Sequence, residues 1–257
     1  MRDVPDTTVR PRRWDELSSP VLARLLAEDP DLVGLIPVGA TEQHGPHLPT
    51  GTDTILATSL GEALSRRTGA VVLPALPIGA SRWHGSGWAG TLALAGEEVA
   101  HLAAEAALWA YESGLRRLLF VNGHVGNGAP LRLACDRLRF EQPVLRIGVL
   151  EWWGVSAGVA HEAVRDAEDW HANRAETSLM LAVRPDLVDL AAAEAADDED
   201  RATGRVFSYP GAVCTTNGVT GKPSEASVEL GERLWEEILI AATGVVSRAW
   251  VEQPPLG

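Results

Sequence analysis

The sequence predicts an α/β fold, a single-domain three-layer α/β/α sandwich on a mainly parallel sheet. Four short apolar runs, at 33–38, 71–73, 117–121 and 144–150, alternate with longer segments of helical spacing. Such alternation favours parallel strands joined by right-handed crossovers, with helices on both faces. No linker or internal repeat divides the 257 residues, so 15–257 read as one domain behind an N-terminal arm, 1–14.

Taken in order, residues 1–14 are polar and contain proline. A first helix is expected over 17–27, with Ser18 and Ser19 as caps before Pro20. Strand 33–38 follows. Thr52 or Asp53 then caps a helix to about 68, with Ile55, Leu56, Leu60 and Leu64 near helical spacing. Strand 71–73 stops at Pro74. Residues 96–113 carry an apolar stripe of Val99, Leu102, Ala103, Ala106 and Ala110, and Gly114 ends that helix. Strand 117–121, a helix over 129–140 and strand 144–150 complete the alternation. Residues 151–170 read as a long loop, 194–201 as an exposed acidic segment, 203–224 as Gly-, Pro- and Thr-rich chain, and 227–250 as a last amphipathic helix.

The chemistry-bearing residues fall in the loops after these strands. Residues 42–53 read Glu-Gln-His-Gly-Pro-His-Leu-Pro-Thr-Gly-Thr-Asp. In extended backbone, side chains at i and i+2 share a face, so Glu42 and His44 can aim at one point if extension persists past Gly39. The Gly and Pro residues bend the chain and can return Asp53 to the same point. Two carboxylates and an imidazole converging at a strand end suit zinc, manganese or iron. The plain alternative is a loop with Asp53 as a helix cap. His124 stands in a Gly-rich loop after strand 117–121, where open parallel sheets build sites. A third stretch, 169–178, holds His171 and Glu176. Asn173 and Glu176 have capping-box spacing, so Glu176 can be a ligand, a catalytic group or a cap. His171 can share a site with Glu176 only if it precedes that helix, because five helical residues would set them about 140° apart. His47, in a tight loop, reads as packing behind the ligands. His84 either contacts substrate or fills a turn.

These stretches resemble the creatininase (creatinine amidohydrolase) family. The resemblance rests on residues 41–53, on Val121-Asn-Gly-His124 with Gly126 and Asn127, and on His171-Ala172 with Glu176-Thr-Ser-Leu-Met-Leu. Pro77-Ile-Gly79 with Ser81, His84 and Gly90-Thr91 fits a further family loop, and Asn217 to Pro223 a late one. The likeness covers roughly residues 30 to 245. It implies a creatininase-like α/β domain with a two-metal site that hydrolyses a C–N bond. Glu42 and His124 would bind one ion, His44 the other, and Asp53 both. His171 and Glu176 would lie at substrate and metal, as catalytic groups. Two divalent ions are implied, zinc first, with manganese or iron also suited. The family also implies a homo-oligomer, a hexamer built of dimers.

One departure matters. Creatininase proper has a ligating carboxylate two residues after the Asn-Gly-His histidine, where this chain has Gly126. Glu176 is the candidate replacement, and creatinine becomes a poor candidate substrate. The loop 81–88 is also one residue longer than usual and carries Trp83 and Trp88. The expected activity is therefore metal-dependent hydrolysis of an amide or cyclic amide in a small molecule, through an activated water. The alternatives are a peptidase trimming a ribosomally made precursor peptide, as in mycofactocin maturation, a formamide deformylase, and a non-catalytic metal-binding scaffold.

Composition narrows the partners. A net charge of −13 speaks against nucleic acid, whose phosphates require a basic footprint. No basic amphipathic segment and no apolar run of membrane-spanning length point to a membrane. Two distant cysteines, Cys135 and Cys214, and opening residues without an apolar run fit a cytoplasmic protein. Nine tryptophans against three phenylalanines, several of them in loops, suggest an aromatic substrate wall. With Ser81 and His84, the substrate-binding candidates are Trp152, Trp153 and Trp170.

Overall fold

The computed structural model describes residues 10–85 and 87–256. β1 (Arg12–Arg13), β2 (Val33–Val38), β3 (Val71–Val72), β4 (Arg117–Asn122) and β5 (Arg146–Glu151) form one sheet in the order β1-β3-β2-β4-β5. Every neighbouring pair is parallel. β1 lies within the segment read as an arm, of which residues 1–9 fall outside the described residues. Two residues are too few to show an alternating pattern. Side-chain ties to the following layer hold β1: Arg12 N–H donates to Ser65 Oγ at 2.8 Å, and Arg13 pairs with Glu62 at 2.8 Å. Pro37 sits in central β2, where a missing N–H would normally break a ladder. Its carbonyl accepts from Leu76 N on the β3 side, where the ladder has already ended at Val72.

The helices are α1 (Ser19–Glu28), α2 (Thr52–Thr68), α3 (Gly96–Glu112), α4 (Gly128–Glu141), α5 (Ala157–Ala163), α6 (Arg174–Val183), α7 (Leu190–Ala193) and α8 (Val228–Val251). Alternation along the strands decides the layers. Val33 and Leu35 of β2 and Val121 of β4 join the core under α2, α6 and α8. Ile36, Val38, Leu118 and Phe120 point the other way, into the core under α3 and α4. The three-layer sandwich follows, and each such fully buried side chain stabilises it by about 1.5–3 kcal/mol.

Three expectations shift. The loop 151–170 contains α5, whose N-cap Ser156 accepts from Val159 N at 3.0 Å. α2 begins with Gly51 as N-cap, so Asp53 lies inside the first turn and is not the cap. The acidic segment is partly an anchor: Asp198 accepts from the Thr215 and Thr216 hydroxyls, each at 2.8 Å, and pins the 203–224 chain. Among the described residues, no helix is long and apolar enough to cross a membrane.

Candidate metal and active site

The site forms at the carboxyl ends of β2 and β4, against the N-termini of α2 and α6. β2 itself ends at Val38, but the chain stays tied, with a bridge from Thr41 to Leu92 and Glu42 N–H donating to Thr50 O at 2.8 Å. Glu42 and His44 thus still reach one point. α2 brings Asp53 down onto the end of β4, a close approach that Gly123 permits. A Cβ at 123 would stand 2.2 Å from the Asp53 carbonyl oxygen.

Glu42, His44, Asp53, His124, His171 and Glu176 meet there, all buried. Asp53 lies between two imidazoles, with Oδ1 3.2 Å from His44 Nε2 and Oδ2 3.3 Å from His124 Nδ1. Glu42 Oε1 is 3.3 Å from His124 Nδ1, 3.4 Å from His84 Nε2 and 3.7 Å from His171 Nδ1. Glu176 Oε1 is 3.8 Å from His44 Nε2. Its other oxygen accepts from Ala172 N at 2.7 Å, while Asn173 caps α6 through Ala175 and Glu176 N–H. One carboxylate therefore combines the capping position with a face toward His44. His171 precedes the helix, as sharing the site requires.

The donor set fits divalent cations. Both Glu42 oxygens, His44 Nε2 and Asp53 Oδ2 are buried without a hydrogen-bond partner. Among the described residues, the ion pairs of Glu42, Asp53 and Glu176 are with histidines alone. Buried carboxylates without a cation are costly. Glu42-His44-Asp53, His44-His171-Glu176 and Glu42-His84-His171 each bring ligand atoms within reach of one ion. Burial pushes the Glu42 carboxyl up, His124 opposing, and pushes His84 and His171 well down. Burial also works against charge on His44, but Asp53 and Glu176 beside it hold its pKa well above the ordinary value.

Second contacts orient the rings. His44 Nδ1 faces the Glu42 carbonyl at 3.2 Å, His124 Nε2 the Ala80 carbonyl at 3.4 Å, and His171 Nε2 the Gln43 carbonyl at 2.7 Å. A carbonyl only accepts, so those nitrogens carry the proton, and in the neutral ring the opposite nitrogen turns its lone pair to the site. On His44 the flanking carboxylates favour a second proton at that position.

A cavity of about 590 Å³ opens above this cluster, with His84 and Trp170 in its wall. Ser81, expected at substrate, sits behind His124, its Oγ 3.5 Å from Nε2. Trp152 and Trp153, expected in the wall, are absent from the described lining. They pack at steep angles against Trp170, with ring centroids 5.5 and 6.0 Å from it, in the core under α8. Loop position and indole count do not say which way a ring turns. The sequence reading missed the rim: Arg205, Val206, Phe207 and Tyr209 line the cavity, with Val206 90% and Phe207 72% exposed. Apolar residues inside Gly- and Pro-rich chain were the available signal. Gln43, between Glu42 and His44, likewise lies outside the residues expected from the sequence.

The fold is a parallel α/β sandwich with a buried cluster of candidate metal ligands at its strand ends, and the comparisons name its family. Residues 15–246 match the creatininase family model, described as creatinine amidohydrolase. The chain belongs to that family, as a hydrolase acting on C–N bonds. It is 34% identical to the mycofactocin precursor peptide peptidase of Mycobacterium ulcerans (strain Agy99), over 86% of each chain. It is 30% identical to the creatinine amidohydrolase of Pseudomonas putida, over 94% of this chain and 95% of that one. A solved creatinine amidohydrolase superposes with a TM-score of 0.81 at 28% identity, covering 95% of this chain and 99% of that chain. Solved creatininases include one described as zinc–zinc type and one as a manganese form.

Proposed function

We propose that this chain hydrolyses an amide or cyclic amide C–N bond at two divalent metal ions held by Glu42, His44, Asp53, His124 and Glu176. The observation that carries this is the set of buried ligand atoms left without partners: both Glu42 oxygens, His44 Nε2 and Asp53 Oδ2. Asp53 would serve both ions, since its two oxygens face different imidazoles. Glu176 would supply the carboxylate that Gly126 does not. Zinc is assigned first, with manganese or iron suited to the same donors. Such ions supply Lewis acidity and a water acidic enough to attack near neutral pH. His171 keeps a lone pair on Nδ1 because Nε2–H is tied to the Gln43 carbonyl at 2.7 Å. It can then take a proton from the attacking water and deliver it to the leaving nitrogen.

The first reading of substrate is a small-molecule amide. A second, peptide trimming, is favoured by the rim, where exposed Val206 and Phe207 offer apolar surface to a longer chain. The likeness to a precursor peptide peptidase supports it. A cytoplasmic homo-oligomer, hexameric by family likeness, belongs to the same proposal. The deciding experiment measures metal per chain, in protein purified without chelator, for wild type and Glu176→Ala. Amine release from small amides and short peptides is followed in parallel. About two ions falling to about one, with turnover lost, is expected for a binuclear site. Full turnover by metal-stripped protein would overturn the proposal.

A further inference from the structure

We propose that the Gln43 side chain fixes His84 as an Nε2–H donor aimed at the cavity floor, making His84 the donating counterpart of His171. The orientation of the Gln43 amide is set by two backbone groups of opposite character. Its Oε1 accepts from Gly45 N–H at 3.0 Å, and its Nε2 donates to the Gly218 carbonyl at 3.0 Å. Turning the amide over would set carbonyl against carbonyl and N–H against N–H. The nitrogen end is therefore the one that meets His84 Nδ1, at 3.0 Å. An amide nitrogen only donates, so His84 Nδ1 must accept. In the neutral ring the proton then sits on Nε2, the atom 3.4 Å from Glu42 Oε1.

This reverses the pattern of the other site histidines. His44, His124 and His171 each place one ring nitrogen against an acceptor carbonyl, so that when neutral they turn a lone pair to the site. His84 has its rear nitrogen against a donor and so presents a proton. A ring in that tautomer does not ligate a metal through Nε2, although Glu42, His84 and His171 lie close enough for one ion. The His84 and His171 rings are 4.0 Å apart, so a bare nitrogen and an N–H stand side by side below the cavity. Amide hydrolysis can use that pairing: His171 takes the water's proton and passes it to the leaving nitrogen, while the His84 N–H donates to the carbonyl oxygen as charge builds there. Thr91 holds the two partners in place: its Oγ accepts from Gln43 N–H at 3.1 Å and donates to the His84 carbonyl at 3.3 Å. Gln43 is thus a positioning residue. What the donor accomplishes rests on the hydrolase reading; the tautomer rests on the hydrogen bonds alone.

The test reads ring-nitrogen NMR shifts of His84 in 15N-labelled protein, metal-free and zinc-loaded, assigned against His84→Gln. Expected are a protonated Nε2 and a bare Nδ1 in both states, and unchanged zinc content in His84→Gln. Gln43→Met, which keeps the side-chain length and removes the donor, should lose the single tautomer. Its kcat should fall on the order of 100-fold, with KM and zinc content nearly unchanged. A bare Nε2 in wild type, zinc loss in His84→Gln, or full kcat in Gln43→Met would each overturn the inference. The wild-type spectrum decides alone if Gln43→Met does not fold. Wild type that takes up no zinc and hydrolyses nothing would sink the hydrolase reading while leaving the tautomer measured.

Discussion

Ala172 adopts a positive φ of 50° between His171 and Asn173, the one described non-glycine residue to do so. Its N–H meets Glu176 Oε2 at 2.7 Å, so this turn sets His171 and Glu176 around one point. The left-handed conformation costs an L-residue about 1–2 kcal/mol. The methyl is fully buried, and a buried carbon of that size returns about 0.8 kcal/mol. Ala172→Gly should therefore leave stability to denaturant within about 1 kcal/mol of wild type, whereas branched Ala172→Val should destabilise by more than that. Gly126 is constrained differently. A Cβ there would come 2.4 Å from His124 Nε2 and 2.7 Å from the Ala80 carbonyl. Gly126→Ala should push the His124 ring aside and lower retained zinc, measured by elemental analysis after dialysis. Zinc retention equal to wild type would show that the ring has room to move.

At the scale of elements, the question is what locks α6 against the first motif loop. His47 does so: its Nε2 lies 2.8 Å from Thr177 Oγ in α6, and its carbonyl accepts from Asp189 N–H at 3.0 Å. Burial pushes the His47 imidazole down to about 4, with His44 adding to the shift. The folded state thus keeps this ring neutral, while the unfolded chain protonates it near 6.5. Between those values the unfolded state binds more protons, so His47's contribution is full above about pH 6.5 and is lost as pH falls toward 4. Urea midpoints should fall across that window in wild type and fall less steeply in His47→Gln. Equal slopes would assign the acid sensitivity elsewhere. How much of this was legible follows from the same geometry. Glu42, His44 and His124 stand in short loops after apolar strands, and Asp53 in the first turn of the helix that follows the first loop, so few backbone paths exist and convergence could be argued. The reading of His47 as packing behind the ligands came from the same tight loop. Gln43, Trp152 and Trp153 depend on side-chain direction, and the 205–209 rim on a path through irregular chain. Neither is encoded in spacing. β1 escaped because its two residues are held by side chains of α2, whose position only the fold supplies.

Across the whole molecule, the site occupies one edge of the sheet and a buried arginine secures the other. Arg117 opens β4 and is 2% exposed. Its guanidinium donates to Asp31 Oδ1 at 2.9 and 3.0 Å, and to the carbonyls of Ala249 and Glu252 at 2.9 Å each. Ala249 stands in the last turn of α8 and Glu252 is its C-cap, so no further helical turn would satisfy either carbonyl. One side chain therefore ties β4, the 29–32 turn and the final helix together. Arg117→Met keeps the stem in the core but removes every donor. Asp31 can turn to water, being largely exposed, and the Glu252 carbonyl keeps Arg146 as a donor at 2.8 Å, whereas the Ala249 carbonyl loses its charged partner. Charge-assisted hydrogen bonds are worth about 1.5–3 kcal/mol, so a loss of about 2–4 kcal/mol is expected in urea unfolding. Six strand residues separate this end from the loops of the candidate metal site by about 20 Å. Zinc content and turnover of the folded Arg117→Met protein should accordingly match wild type at temperatures below its unfolding transition. A fall in zinc affinity without unfolding would instead show that the base of β4 and its catalytic end move as one body.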